Sequence, residues 1–131
     1  MAHLAHIAVI VRDYDEALAF YVGKLGFALI EDVAVPDQSK RWVTIRPPGA
    51  GEDATSLLLA RAVGAEQSAA IGNQSGGRVF LLLQTEDFAR DYAAFTRLGV
   101  HFLEAPRHEP YGTVAVFEDL YGNRWDLIER A

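Results

Sequence analysis

One order of elements occurs twice in this chain, and a unit that is duplicated because it cannot close alone restricts the fold more than any single residue does. The first copy starts with a β-branched apolar run, Leu4 to Val11, which reads as a strand covered on both faces. Asp13 then stands as a helix N-cap with Glu16 three residues on, Tyr14, Ala17, Leu18, Tyr21 and Leu25 recur at helical spacing, and Gly26 ends the helix. Strands follow at Phe27 to Val35, Arg41 to Arg46 and Ser56 to Ala62, the first two joined by a turn at Pro36 to Ser39. The second copy repeats this order. Arg78 to Gln84 is an apolar strand, Thr85 or Asp87 caps a helix with a stripe of Phe88, Tyr92, Phe95 and Leu98, and Gly99 ends it. His101 to Glu104, Thr113 to Asp119 and Arg124 to Glu129 are its remaining strands, with a loop at Pro106 to Tyr111. Leu25-Gly26-Phe27 and Leu98-Gly99-Val100 hold the same place in each copy, an offset of about 73 residues.

The expected fold class is therefore α+β. Two βαβββ units, 1–62 and 78–131, form curved mixed sheets around a cavity with the helices outside, and that concavity is the natural ligand site. The intervening 63–77, rich in Gly, Ala, Ser, Asn and Gln, reads as a linker or mobile flap. At 131 residues the chain is the size of a single domain.

Charge and composition then remove whole classes of partner. A net charge of −6 with no run of Lys or Arg disfavours nucleic acid and anionic membrane. The apolar stretch Ile7 to Val11 is far too short to span a bilayer. With no cysteine there is no thiolate nucleophile or thiolate metal site, so a metal would need His and carboxylate ligands, and a cytoplasmic location is the expectation. The chain has no Gly-x-Ser-x-Gly elbow and no phosphate-cradling loop.

The C-terminal stretch 117–129 carries the most pointed chemistry. Asp119, Gly122 and Asn123 form the turn of a hairpin whose closing strand sets Trp125, Leu127 and Glu129 on one face and Arg124, Asp126 and Ile128 on the other. Asp126 is thus a semi-buried carboxylate in an apolar strand, and it needs a cation, a donor or a metal. Arg124, Arg78, Arg46 and Arg41 are the candidate cations. Glu104 and Glu109 read as solvated, with Glu109 able to rim the cavity mouth.

His6 with its short apolar strand and Asp13, Phe20-Tyr21, Leu25-Gly26-Phe27, and Asp119, Gly122-Asn123 and Asp126 together resemble the vicinal oxygen chelate superfamily. That group includes glyoxalase I, extradiol dioxygenases, and fosfomycin- and bleomycin-resistance proteins. The resemblance spans essentially the whole chain. It implies metal ligands on the first and last strands of each unit, which here gives His6 and Asp126, with Asp126 also the catalytic residue. The two symmetry-related positions hold Val79 and Leu58, which have no ligand atoms.

Two functions stand open on this basis. One is a glyoxalase- or dioxygenase-like enzyme, a lyase, isomerase or dioxygenase with Ni, Mn, Fe or Zn at His6 and Asp126 chelating vicinal oxygens, and Arg78 or His108 holding an anionic substrate. The other is a metal-free binding protein similar to the bleomycin-resistance members, with Trp42, Phe80 and Phe117 lining an apolar groove. The enzyme is placed narrowly first. A symmetric homodimer is expected in either case.

Overall fold

The apolar run after His6 forms β1 (His6–Val11), and the Asp13 carboxylate accepts the Glu16 N–H at 2.8 Å to start α1 (Tyr14–Tyr21). Strands β2 (Ala28–Val35), β3 (Lys40–Arg46) and β4 (Ser56–Arg61) follow, then α2 (Gly64–Ala70). The second half runs β5 (Val79–Gln84), α3 (Phe88–Arg97), β6 (His101–Phe102), β7 (Arg107–Glu109), β8 (Gly112–Glu118) and β9 (Arg124–Arg130). This computed structural model describes residues 1–131 and separates into two compact units, residues 1–71 and 72–131.

Strand order confirms the repeat. The first sheet runs β1-β4-β3-β2 and the second β5-β9-β8-β6, with β7 paired to β8. In each the first and last strands of the unit lie side by side and parallel, β1 with β4 and β5 with β9, while the neighbouring pairs are antiparallel. The class is α+β, as expected.

Each sheet has one face covered by its helix. In the first unit Val9, Val11, Val43, Ile45, Leu57 and Leu59 share that face by register and are buried with Ala17, Phe20 and Tyr21 of α1. In the second, Leu83, Ala115, Phe117, Trp125 and Leu127 are buried on the α3 side. Glu129 anchors α3 there, its Oε1 accepting the Phe88 N–H at 2.7 Å, where the helix dipole favours a carboxylate.

Four local expectations are corrected. The segment 63–77 is not structureless: Gly64–Ala70 is helical, since Ala, Glu and Gln are good helix formers, and the Gln67 side-chain Oε1 accepts the Val63 N–H at 2.8 Å. The Pro106 to Tyr111 loop contains β7, whose Glu109 pairs with Gly112 around Pro110-Tyr111. That hairpin needs glycine, because Gly112 has φ of 148° and a Cβ there would lie 2.1 Å from the Glu129 carbonyl oxygen. The strand expected over His101 to Glu104 stops at Phe102. Leu98, placed in the α3 stripe, is 43% exposed because the helix ends at Arg97 and the chain turns through Gly99.

Candidate functional site

Alternation leaves each sheet a second face away from its helix, and the chemistry collects there. In the first unit this face carries His6, Thr44 and Trp42. Glu31 on β2 accepts hydrogen bonds from Trp42 Nε1 at 3.1 Å and from Thr44 Oγ1 at 3.2 Å. The His6 ring meets the Trp42 indole edge-on, with centroids 5.5 Å apart. His6 and Trp42 are thus brought together on a partly exposed aromatic patch, with Glu31 fixing the indole plane.

In the second unit the corresponding face carries Arg124, Asp126 and Ile128 of β9, with Val116 of β8 and Leu82 of β5 directly across from Asp126. Asp126 is half-buried, accepts no hydrogen bond and joins no ion pair. Burial pushes its carboxyl above the usual carboxylate range; Arg107 opposes that shift and Glu104 adds to it. The cation whose charge acts on it is therefore Arg107, not Arg124, Arg78, Arg46 or Arg41. It was hidden from sequence reasoning because its strand looked like a loop.

Arg107 itself is committed elsewhere. Its Nε donates to both oxygens of Glu104 at 3.0 Å and its Nη1 to Glu109 at 3.1 Å, while Glu104 Oε2 also accepts the Val116 N–H at 3.2 Å. Glu104 and Glu109, expected to be solvated, are partners in this cluster. Arg41 is likewise occupied, by Asp32 at 2.7 Å and Asp15 at 3.0 Å, and lies 5.1 Å from the centre of the Tyr14 ring. The Arg41 hydrogen bond holds the Asp32 carboxyl below its ordinary range.

The remaining candidates separate. Arg78 is exposed just ahead of β5, and Phe80 is half-buried at the register shift between Val79 and Leu81. His108 is exposed on β7, its Nδ1 3.3 Å from Thr113 Oγ1. Phe117 is corrected: it is 0% exposed, stacked on Trp125 at 5.8 Å and against Phe95 and Phe102 at 5.6 Å, so it belongs to the core beneath α3 and lines no groove. Asp119 and Asn123 are the turn formers expected. Asp119 accepts the N–H groups of Tyr121 and Asn123 at 3.0 Å, Asn123 Nδ2 at 2.9 Å and Trp125 Nε1 at 3.2 Å.

Leu58 lies across from Ala8 and Thr44, and Val79 across from Arg124, so two of the four positions where the resemblance implies metal ligands carry no ligand atom. No three His, Asp or Glu side chains converge in a group fit to hold a metal ion.

With this geometry in hand, comparison with known proteins is decisive on family. The model of the Glyoxalase/Bleomycin resistance protein/Dioxygenase superfamily matches residues 3–127. The chain belongs to that superfamily. Within it, the chain is 57% identical over 126 residues to an uncharacterized protein of Shewanella frigidimarina (strain NCIMB 400), covering 96% of this chain and 92% of that one. Among solved structures it is similar to UcmS2, with 30% identity, a TM-score of 0.82 and 98% of both chains covered. It is also similar to TnmS3, an antibiotic binding protein from Streptomyces sp. CB03234, at 32% identity and a TM-score of 0.77, covering 100% of this chain and 98% of that one.

The raised carboxyl of Asp126 has a measurable consequence for this superfamily member. A folded-state value above the unfolded one means that the native state binds more protons in the window just above the ordinary carboxylate range. Stability contributed by protonated Asp126 is lost as pH rises through that window. Asp126→Asn is expected to flatten this part of the pH–stability curve and to raise the neutral-pH Tm by about 2 °C, measured by calorimetry at several pH values. Asp32 runs the other way: its contribution is present above the ordinary range and is lost as pH falls below it.

Proposed function

We propose that this protein is a metal-independent binding protein that holds a small organic molecule on the open sheet face of its second unit, with Asp126 as the acceptor for a donor group on the ligand. One observation carries the reading. A half-buried carboxylate without a hydrogen bond or ion pair, flanked by Leu82 and Val116, costs stability in the free protein and returns it only when something donates to it. The likeness to TnmS3, an antibiotic binding protein, supports the same choice over an enzyme. So does a donor set with Val79 and Leu58 at two of the four ligand positions. The first unit, taken by itself, also presents a planar aromatic surface on its open face, Trp42 fixed by Glu31 and edged by His6.

The protein is also read as a symmetric homodimer in the cytoplasm. Strand β2 is a sheet edge exposed along nearly its whole length, with Leu29, Ile30 and Val33 at 47, 39 and 56% exposed, a surface that gains from being covered. No helix is long and apolar enough to cross a membrane.

The test is a thermal-shift screen of planar and polycyclic small molecules against chelator-treated protein. Hits are expected to raise the Tm by several degrees, to be unaffected by EDTA and to lose most of their effect on Asp126→Ala. Stabilisation that requires added Ni²⁺, Mn²⁺, Fe²⁺ or Zn²⁺ and fails on both His6→Ala and Asp126→Ala would return the assignment to a metal-dependent lyase, isomerase or dioxygenase.

A further inference from the structure

Two residues before Asp126, on the same face of β9, Arg124 presents a guanidinium that has no carboxylate partner. Its Nη1 donates to the Gly77 carbonyl at 3.2 Å, which leaves Nε and Nη2 uncommitted. The residue is one of those lining a recess of about 220 Å³, with Gly77, Val79, Leu103, Glu104 and Val116. Three of those six residues are apolar side chains. Glu104 is the one acid in the lining, and it is engaged elsewhere: Arg107 Nε reaches both its oxygens, and the Val116 N–H adds to Oε2.

In a chain of net charge −6, an unpaired arginine over an apolar recess is an unusual placement. It supplies what the walls lack, a charged donor with a fixed direction. Asp126 lies about 7 Å farther along the strand, two residues at roughly 3.3 Å each. Its partner across the sheet is Val116, which also lines the recess. The open face of β9 therefore carries a free donor at Arg124 and, two residues on, a free acceptor at Asp126 beside the recess residue Val116.

We propose that this recess is a subsite for a small carboxylate whose flat apolar body carries an N–H or O–H donor at its far end, the carboxylate on Arg124 and the donor on Asp126. The Asp126 half rests on the function proposed above. The Arg124 half stands without it, because it depends on the recess and the guanidinium alone. The volume suits one aromatic ring with its substituents, which makes 4-aminobenzoate a fitting probe.

The experiment titrates the 131-residue protein with 4-aminobenzoate, benzoate and 4-aminobenzamide, followed by ¹H–¹⁵N correlation spectra. The expected result is saturable shifts at Gly77, Val79, Leu103 and Val116 with 4-aminobenzoate, and binding about ten-fold tighter than that of 4-aminobenzamide. Arg124→Gln abolishes this preference for the acid. Benzoate, lacking the donor, binds several-fold more weakly than 4-aminobenzoate, and Asp126→Ala removes that difference. If the amide binds as well as the acid, or the shifts fall outside the recess, the Arg124 subsite is wrong. If the acid is preferred but the amino group and Asp126→Ala make no difference, the Arg124 subsite stands and the Asp126 acceptor role is wrong.

Discussion

Asp119→Ala is expected to destabilise the fold by about 3 kcal/mol or more, because it orphans a set of buried donors at once. Asp119 is 5% exposed and accepts two backbone N–H groups, the Asn123 amide and the Trp125 indole N–H, which together shape the β8–β9 turn. Asn123 is already short of partners, with its buried Oδ1 accepting nothing. Loss of Asp119 would leave its Nδ2 orphaned as well. Denaturant unfolding of the variant should show a large fall in midpoint with little change in slope. A shift under about 0.5 kcal/mol, the size of an ordinary surface substitution, would mean that solvent or the chain itself replaces the carboxylate, and that the turn does not depend on it.

Phe117→Ala is expected to cost about 3–5 kcal/mol, the range for emptying a large aromatic from a packed core. The side chain is fully buried and touches Phe95, Phe102 and Trp125. The variant distinguishes two roles. A groove-lining phenylalanine would be lost with little change in stability and a large change in ligand affinity; this one is expected to lower the Tm by ten degrees or more in calorimetry. A well-folded variant of near-native Tm would move Phe117 back to the binding surface.

Phe117 also shows where sequence reasoning succeeds and where it stops. The alternation on β9 set Trp125 and Leu127 apart from Arg124 and Asp126, and the structure keeps that division. The same alternation on β8 puts Phe117 across from Trp125, hence on the helix side, but an aromatic residue near a suspected groove invites a ligand reading. The repeat was legible because two helix-ending glycines and two apolar strands recur in step, and hydrophobic period is the strongest local signal. Strand β7 was not: Arg107-His108-Glu109 has no apolar alternation, is three residues long and is held by pairing to β8 alone. With β7 went the site's electrostatics, since Arg107 governs both Glu104 and the surroundings of Asp126. Helix α2 was obscured by flanking glycines and buries no side chain, so its sequence shows no apolar stripe.

The candidate site divides along the same line. Asp126 and His6 were found from strand position, and each lies on the open face of its own sheet. The absence of ligand atoms at Leu58 and Val79 was also plain from residue identity. What needed three dimensions was the commitment of the neighbouring charges: that Arg41 is held by Asp15 and Asp32, that Arg107 is held by Glu104 and Glu109, and that Asp126 and Arg124 are left open.

The most direct test of a metal-independent binding site is metal uptake by untagged, chelator-stripped protein, measured by native mass spectrometry after incubation with Ni²⁺, Mn²⁺, Fe²⁺ or Zn²⁺, on wild type and Asp126→Ala side by side. The expected result is no stoichiometric ion on either protein, since no three His, Asp or Glu side chains group to hold one. One equivalent bound to the wild type and absent from Asp126→Ala would contradict it and make Asp126 a metal ligand.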